Sequence, residues 1–186
     1  MKAASLLLIV LLSGCASQVT EPNYYLLRSS QDLQSSTLQA SKNYSLGTVE
    51  IATYLNRPGL VMETADGQMR PASQNLWAEP IYDGVRNLLA TEISSAIGQE
   101  LLPTRLNKNT AVVNIRIDQL HGTQDGKAQL VAYWWLVRDN QVTGLNRFSN
   151  TRSLKISGYG ALVEAEKDLL AELAKNIAAS LGPIAS

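Results

Sequence analysis

Cysteine and histidine are almost absent from this sequence, which contains one of each. A single cysteine, Cys15, rules out a disulfide within the chain, so the folded state must rest on an apolar core. Metal sites take several His, Cys or carboxylate ligands at suitable spacing, whereas His121 stands alone beside Gly122 near the end of a predicted strand. We therefore predict no metal site, and we expect no catalytic role for His121.

The sequence also lacks an excess of either charge and a second long apolar run. Its 16 Lys and Arg residues balance its 16 Asp and Glu residues, and this neutrality argues against nucleic acid as a partner. No run after the first residues approaches the about 20 apolar residues of a transmembrane helix. A membrane attachment must therefore come from another feature of the chain.

Catalytic motifs are missing as well. No Gly-rich phosphate loop follows a predicted strand, and there is no Gly-x-Ser-x-Gly nucleophile elbow. Acidic pairs such as Glu164 and Asp168 fall on a predicted exposed helix face, where we expect solvated carboxylates. We predict a protein that is not an enzyme, with no catalytic residues and no bound cofactor.

The first 14 residues have the features of a secretory signal. Lys2 precedes an apolar run from Leu6 to Leu12. The tetrapeptide that ends at Cys15 resembles the bacterial lipobox, which implies cleavage between Gly14 and Cys15 and covalent diacylglyceryl and acyl groups, such as palmitate, on Cys15. Two or three such chains anchor a protein stably. The other interpretation is an ordinary secretory signal with a chance cysteine nearby.

The residues after the cleavage point give the location and the domain organisation. Ala16 follows Cys15, whereas an Asp there resembles an inner-membrane retention signal in enteric bacteria. We therefore expect the periplasmic face of the outer membrane of a Gram-negative cell. Residues 15–23 are expected to form an acylated tether, and residues 24–186 a single domain.

Seven segments of this domain have the composition or alternation of strands. Asp66-Gly67 and Asp125-Gly126 are hairpin signals between neighbouring strands. The polar stretch 28–43 is expected to be a loop, and the last three strands an antiparallel meander. The predicted strands are 24–27, 44–51, 60–64, 68–73, 111–120, 127–138 and 146–156.

Two segments have the three-and-four spacing of amphipathic helices. The first follows the lead-in Asn75–Glu79, has Pro80 in its first turn, and ends near Gly98. The second runs from about Tyr159 to Leu181, before the stop signal Gly182-Pro183. The predicted fold class is α+β, with a mainly antiparallel sheet packed against two amphipathic helices. The apolar stripes are Ile81, Val85, Leu88, Leu89, Ile93, Ala96 and Ile97, and Leu162, Ala165, Leu169, Leu173, Ile177 and Leu181.

Four bulky residues are candidate contacts for a partner. Adjacent side chains of a strand point to opposite faces, so Trp134 and Trp135 lie on different sides of the sheet. Both can be buried under helices, or one can face a partner or lipid. Trp77 has the same two interpretations, as an anchor of the helix start or an exposed contact, and Pro80 lies beside it.

Several segments together resemble the ABC-type transport auxiliary lipoprotein family. They cover nearly the whole chain after the signal, apart from the Ser- and Gln-rich stretch 29–42. The segment Asn75-Leu76-Trp77-Ala78-Glu79-Pro80-Ile81 is the most distinctive. The other segments are the lipobox at Cys15, Asn23–Leu26, Tyr54–Val61, Ile117–Gly122, Lys127–Leu136 and the last helix.

The resemblance implies a lipoprotein component of an intermembrane lipid transport system that supports envelope integrity. Its implied partners are a periplasm-spanning MCE-domain (PqiB-like) protein and further copies of the same chain in a ring. The family has no catalytic residues to transfer to this sequence. The alternative is a free-standing lipoprotein that binds a small ligand or a lipid in an apolar cavity.

Overall fold

The computed structural model describes residues 21–29, 38–107 and 110–181. The predicted signal, residues 15–20 of the predicted tether and Gly182-Pro183 lie outside these residues. Within them, neither helix is both long and apolar enough to span a membrane. The strands are β1 (Asn23–Tyr25), β2 (Tyr44–Ile51), β3 (Gly59–Glu63), β4 (Met69–Trp77), β5 (Ala111–Gly122), β6 (Lys127–Arg138) and β7 (Gln141–Ser153), and the helices are α1 (Ile81–Ile97) and α2 (Tyr159–Ser180).

All seven strands of the described residues belong to one sheet. Its order is β1-β4-β3-β5-β6-β7, and β2 also pairs with β5. The pairs β3–β4, β5–β6 and β6–β7 are antiparallel, which confirms the predicted meander and the α+β class. The pairs β1–β4, β2–β5 and β3–β5 are parallel, and no local signal in the sequence predicted them.

The hairpin turns lie where the sequence predicts them. Gly67 and Gly126 have φ of 72° and 75°, a conformation that glycine adopts without steric cost. The third turn differs from the prediction, because Asp139 and Asn140 both take positive φ. Such a two-residue turn matches the twist of the strands it joins, so β7 starts at Gln141 and not at residue 146.

Both amphipathic helices are present, with small differences at their ends. Pro80 is the residue before α1, one position outside the first turn, and Gly98 ends α1 in the left-handed conformation. Ala96 of the predicted apolar stripe is exposed, whereas Ile97 beside it packs against the core. The predicted stripe of α2 is buried along its whole length.

The two faces of the sheet differ in what covers them. In the register of β5 and β6, Ile115 lies opposite Trp134, and both side chains are buried in the core with residues of α1 and α2. The alternate positions Asn114 and Trp135 lie on the other side of the sheet. We call the first side the covered face and the second side the open face.

Candidate functional site

The predicted contact residues separate into buried and accessible ones. Trp77 and Trp134 have exposed fractions of 7% and 2%, so neither indole offers a contact surface in the folded chain. Trp135 is half-buried on the open face, and Pro80 is exposed. Cys15 and Gly14 lie outside the described residues, so their acylation and cleavage stay predictions.

The Asn75–Pro80 segment has a structural role that the sequence did not reveal. Its first part is the end of strand β4, whereas we expected a lead-in to the helix. The Trp77 amide donates to the carbonyl oxygen of Pro58 at 2.7 Å, and the Ala78 amide donates to that of Tyr25 at 2.8 Å. The segment therefore joins the start of β3 to the end of β1, and this packing buries the Trp77 indole.

Glu79 of the same segment forms an ion pair with Arg28. The guanidinium contacts both carboxylate oxygens, with 2.7 Å between Arg28 Nη2 and Glu79 Oε2. This two-point geometry fixes the planes of both groups. The pair holds the chain after β1 against the start of α1, next to Gly84, where a Cβ would lie 3.2 Å from Leu27 Cβ.

A second distinctive feature is a group of buried polar atoms near the segment that connects β2 to β3. Tyr54 Oη, His121 Nε2 and Glu166 Oε2 are buried and have no hydrogen-bond partner within the described residues. The Tyr54 and His121 rings meet edge to face, with 6.4 Å between their centroids. The turn Thr53–Leu55 supplies Tyr54, the end of β5 supplies His121, and α2 supplies Glu166.

Burial changes the acid–base behaviour of this group. It raises the pKa of Glu166 from 4.5 to about 8, because desolvation penalises the charged form. Burial also raises the pKa of Tyr54 to about 12, opposed by the nearby Leu120 backbone and assisted by the Asp118 and Glu166 carboxylates. Glu166 is therefore a neutral acid at neutral pH. The sequence did not indicate this, because Glu166 looks like any other acidic residue of a helix.

The described surface also contains an open groove near the sheet edge. It has a volume of about 460 Å³ and lies between the end of β7 and the start of α2. Ile156 in its wall is 74% exposed, and the cations Arg152 and Lys155 lie opposite the carboxylates of Glu164 and Asp168. Among the described residues, no three His, Cys, Asp or Glu side chains are grouped to hold a metal ion.

Comparisons with known proteins give relatives of this chain. The family model of the ABC-type transport auxiliary lipoprotein component matches residues 24–178. The intermembrane transport lipoprotein PqiC of Escherichia coli K12 is 29% identical over 133 residues, which cover 70% of this chain and 71% of PqiC. PqiC of Shigella flexneri matches with the same figures.

Two solved structures share the fold. A crystal structure of an uncharacterized protein has a TM-score of 0.76 and 24% identity, and the match covers 88% of this chain and 100% of that one. A protein of Xanthomonas campestris has a TM-score of 0.62 and 14% identity, with 85% of this chain and 89% of its own covered. Sequence identities this low show a common fold and nothing further.

Proposed function

Because this chain belongs to the ABC-type transport auxiliary lipoprotein family, we propose that it is an acylated component of an intermembrane lipid transport system at the outer membrane. The single observation that carries the proposal is the match over residues 24–178, which spans both helices and nearly all of the sheet. The name of the relative PqiC, an intermembrane transport lipoprotein, agrees with it. The role is non-enzymatic: the domain docks and positions other components.

The lipobox-like segment supports the anchoring part of the proposal. The tether between Cys15 and the first described residue, Glu21, is short, so acyl chains on Cys15 would keep the domain close to a bilayer. Two or three chains bind a membrane stably, whereas one binds reversibly. Ala16 after the cysteine supports the outer membrane as the destination.

Removal of the acylated residue tests the anchor. In Cys15→Ala no thiol can accept a diacylglyceryl group, so we expect no incorporation of labelled palmitate and no outer-membrane fraction. The measurement is palmitate labelling with membrane fractionation, with Ser17→Ala as the matched control that keeps both. Membrane association of Cys15→Ala equal to that of the unmodified chain would contradict acyl anchoring.

The proposed partner is a periplasm-spanning MCE-domain protein, together with further copies of this chain in a ring. Of the predicted contact residues, Trp135 is the one that we assign to the partner, because it is only half-buried and lies on the open face. The test is affinity purification of the full-length lipoprotein from membranes, followed by mass spectrometry. We expect an MCE-domain protein in the eluate and weaker capture with Trp135→Ala, and an eluate without any MCE-domain protein contradicts the partnership.

The groove beside α2 favours one alternative, a free-standing lipoprotein that binds a small ligand or a lipid. Its exposed Ile156 and its charged rim offer apolar and polar contacts to a small amphiphile. Lipid extraction of the purified Cys15→Ala chain tests this function. A bound lipid that is lost in Ile156→Ser would support the alternative, and a lipid-free chain would remove it.

A further inference from the structure

The end of the molecule at which the tether enters has an unusual surface. Tyr24 and Leu26 are large apolar residues with exposed fractions of 62% and 44%. Tyr24 belongs to β1, which lies at the edge of the sheet, and Leu26 follows the end of this strand. Exposed side chains of this size in alternate positions present one apolar ridge to the surroundings. Such a ridge is a candidate contact surface.

Exposed residues of two other elements extend this ridge. Tyr24 lies opposite Leu76 of β4, and Leu76 lies opposite Gly59 of β3, so the chain just before Gly59 is about 10 Å from β1 at the usual strand spacing. The residues there are Arg57 and Pro58, both exposed. Exposed Pro80 follows Ala78, whose amide is bonded to Tyr25. The anchor-side surface is defined as Tyr24, Leu26, Arg57, Pro58 and Pro80.

One cation at this end is available to a phospholipid headgroup. Arg57 makes no ion pair with any described residue, so its guanidinium is available to a phosphate. Glu79 is already bound by Arg28, which leaves Glu21 and Asp83 as the exposed carboxylates nearby. A tyrosine has an apolar ring and a polar hydroxyl, a combination that favours the boundary between acyl chains and water.

The length of the tether between Cys15 and Glu21 indicates that the bilayer is what covers the anchor-side surface. Five residues separate Cys15 from Glu21, so the first described residue lies six residue steps, at most about 22 Å, from the acylated residue. Tyr24 and Leu26 follow directly, on the strand that the tether enters. Acyl chains on Cys15 therefore hold this surface within reach of the bilayer.

We propose that the anchor-side surface rests on the phospholipid bilayer, with Tyr24 and Leu26 in the headgroup layer and Arg57 facing lipid phosphates. This inference rests on the acylation of Cys15 proposed above. The acyl chains supply most of the affinity, and the surface sets the orientation of the domain. Strand β7, at the opposite edge of the sheet about 24 Å away at the usual strand spacing, then faces the periplasm.

A site-specific fluorescent probe tests this orientation. Acylation consumes the thiol of the only cysteine, so a cysteine introduced by Leu26→Cys or Tyr24→Cys can be labelled alone with an environment-sensitive dye. The full acylated chain is placed in vesicles of phosphatidylethanolamine with a minority of phosphatidylglycerol. The matched controls are Val142→Cys and Leu145→Cys of β7, whose side chains are 64% and 70% exposed.

In vesicles we expect the emission of dyes at residues 24 and 26 to shift to the blue. We also expect a nitroxide attached to the lipid headgroups to quench this emission. Dyes at residues 142 and 145 should show neither change. Equal quenching at all four positions would overturn the orientation. A blue shift without quenching would mean that protein, not lipid, covers residue 26, and would also overturn it.

Flotation of the same vesicles separates the two proposals. A chain that does not float overturns the acyl anchor and this inference with it. A chain that floats while its probes at residues 24 and 26 stay unquenched overturns the inference and leaves the anchor intact.

Discussion

The covered face and the open face of the sheet are built from the same strands but by different chemistry. On the covered face, Ile115 and Trp134 lie opposite each other under the helices and are nearly fully buried. On the open face, Asn114 lies opposite Trp135, and Arg116 opposite Tyr133. The residues of the covered face are therefore selected for close packing in the core. The open face instead leaves polar and aromatic side chains accessible to contacts.

Truncation of the two adjacent tryptophans should show the largest difference between the faces. Trp134→Ala leaves a cavity in a core that cannot collapse fully, and we expect the free energy of unfolding to fall by about 3–5 kcal/mol. Trp135→Ala removes a half-buried side chain, and we expect a loss of about 1 kcal/mol. Urea denaturation of the soluble Cys15→Ala chain measures both values.

An equal loss of unfolding free energy for Trp134→Ala and Trp135→Ala would contradict this difference between the faces. A loss for Trp135→Ala as large as that for Trp134→Ala would mean that the open face is covered by another part of the chain or by a second copy. Measurement over a range of protein concentrations distinguishes these two causes, because only the second copy makes the transition depend on concentration.

Glu166, a buried acid of α2, should give the next largest effect, and the stability that it contributes depends on pH. Because the folded-state pKa of Glu166 is about 8, the folded chain holds a proton that the unfolded chain releases above about pH 4.5. Stability is therefore fully present below pH 4.5 and is lost as pH rises toward 8, by up to about 1.4 kcal/mol per pH unit. Glu166→Gln should remove this pH dependence.

Glu164→Gln is the matched control on the same helix. Glu164 is exposed and pairs with Lys167, so its substitution should leave the pH profile of unfolding unchanged. The measurement is the urea midpoint at a series of pH values. Parallel pH profiles for Glu166→Gln and the Cys15→Ala background would show that Glu166 is ionised in the folded chain.

Charged residues should show the smallest difference between the faces. Arg152 of β7 pairs with Glu172 at 3.1 Å and with Asp168 at 3.9 Å on α2, whereas Arg116 pairs with Asp118 at 2.7 Å on the open face. Exposed ion pairs contribute little to stability. Arg152→Ala and Arg116→Ala should therefore each shift the urea midpoint slightly, and less at high salt, and a large shift for Arg152→Ala alone would indicate that it holds α2 in place.

Local signals explain how much of the fold was predictable. The alternation of Val113, Ile115 and Ile117 predicted β5, and Asp125-Gly126 predicted its hairpin with β6, because both signals act between residues close in the chain. The stripe of α2 predicted its buried side for the same reason. The helices and the meander were therefore correct, apart from both bounds of β7 and small differences at the helix ends.

Long-range pairing explains what the sequence did not reveal. The parallel partners of β1 and β2 lie far along the chain, and alternation within a strand carries no information about its neighbour. Trp77 looked like a possible contact, but its burial depends on Pro58 and Tyr25. The sequence did not single out Glu166, because its burial depends on residues such as Tyr54 that lie far from it in the chain.

The pairing of β5 has a consequence for the order in which the chain can assemble. This one strand pairs with β2, β3 and β6, and the whole of α1 lies between β3 and β5. Among the described strands, β2 therefore has no partner until β5 is available, whereas β3 and β4 can already form their hairpin and β4 can pair with β1. Non-local pairing of this kind slows folding, so we expect the β2–β5 pair to form after the local hairpins.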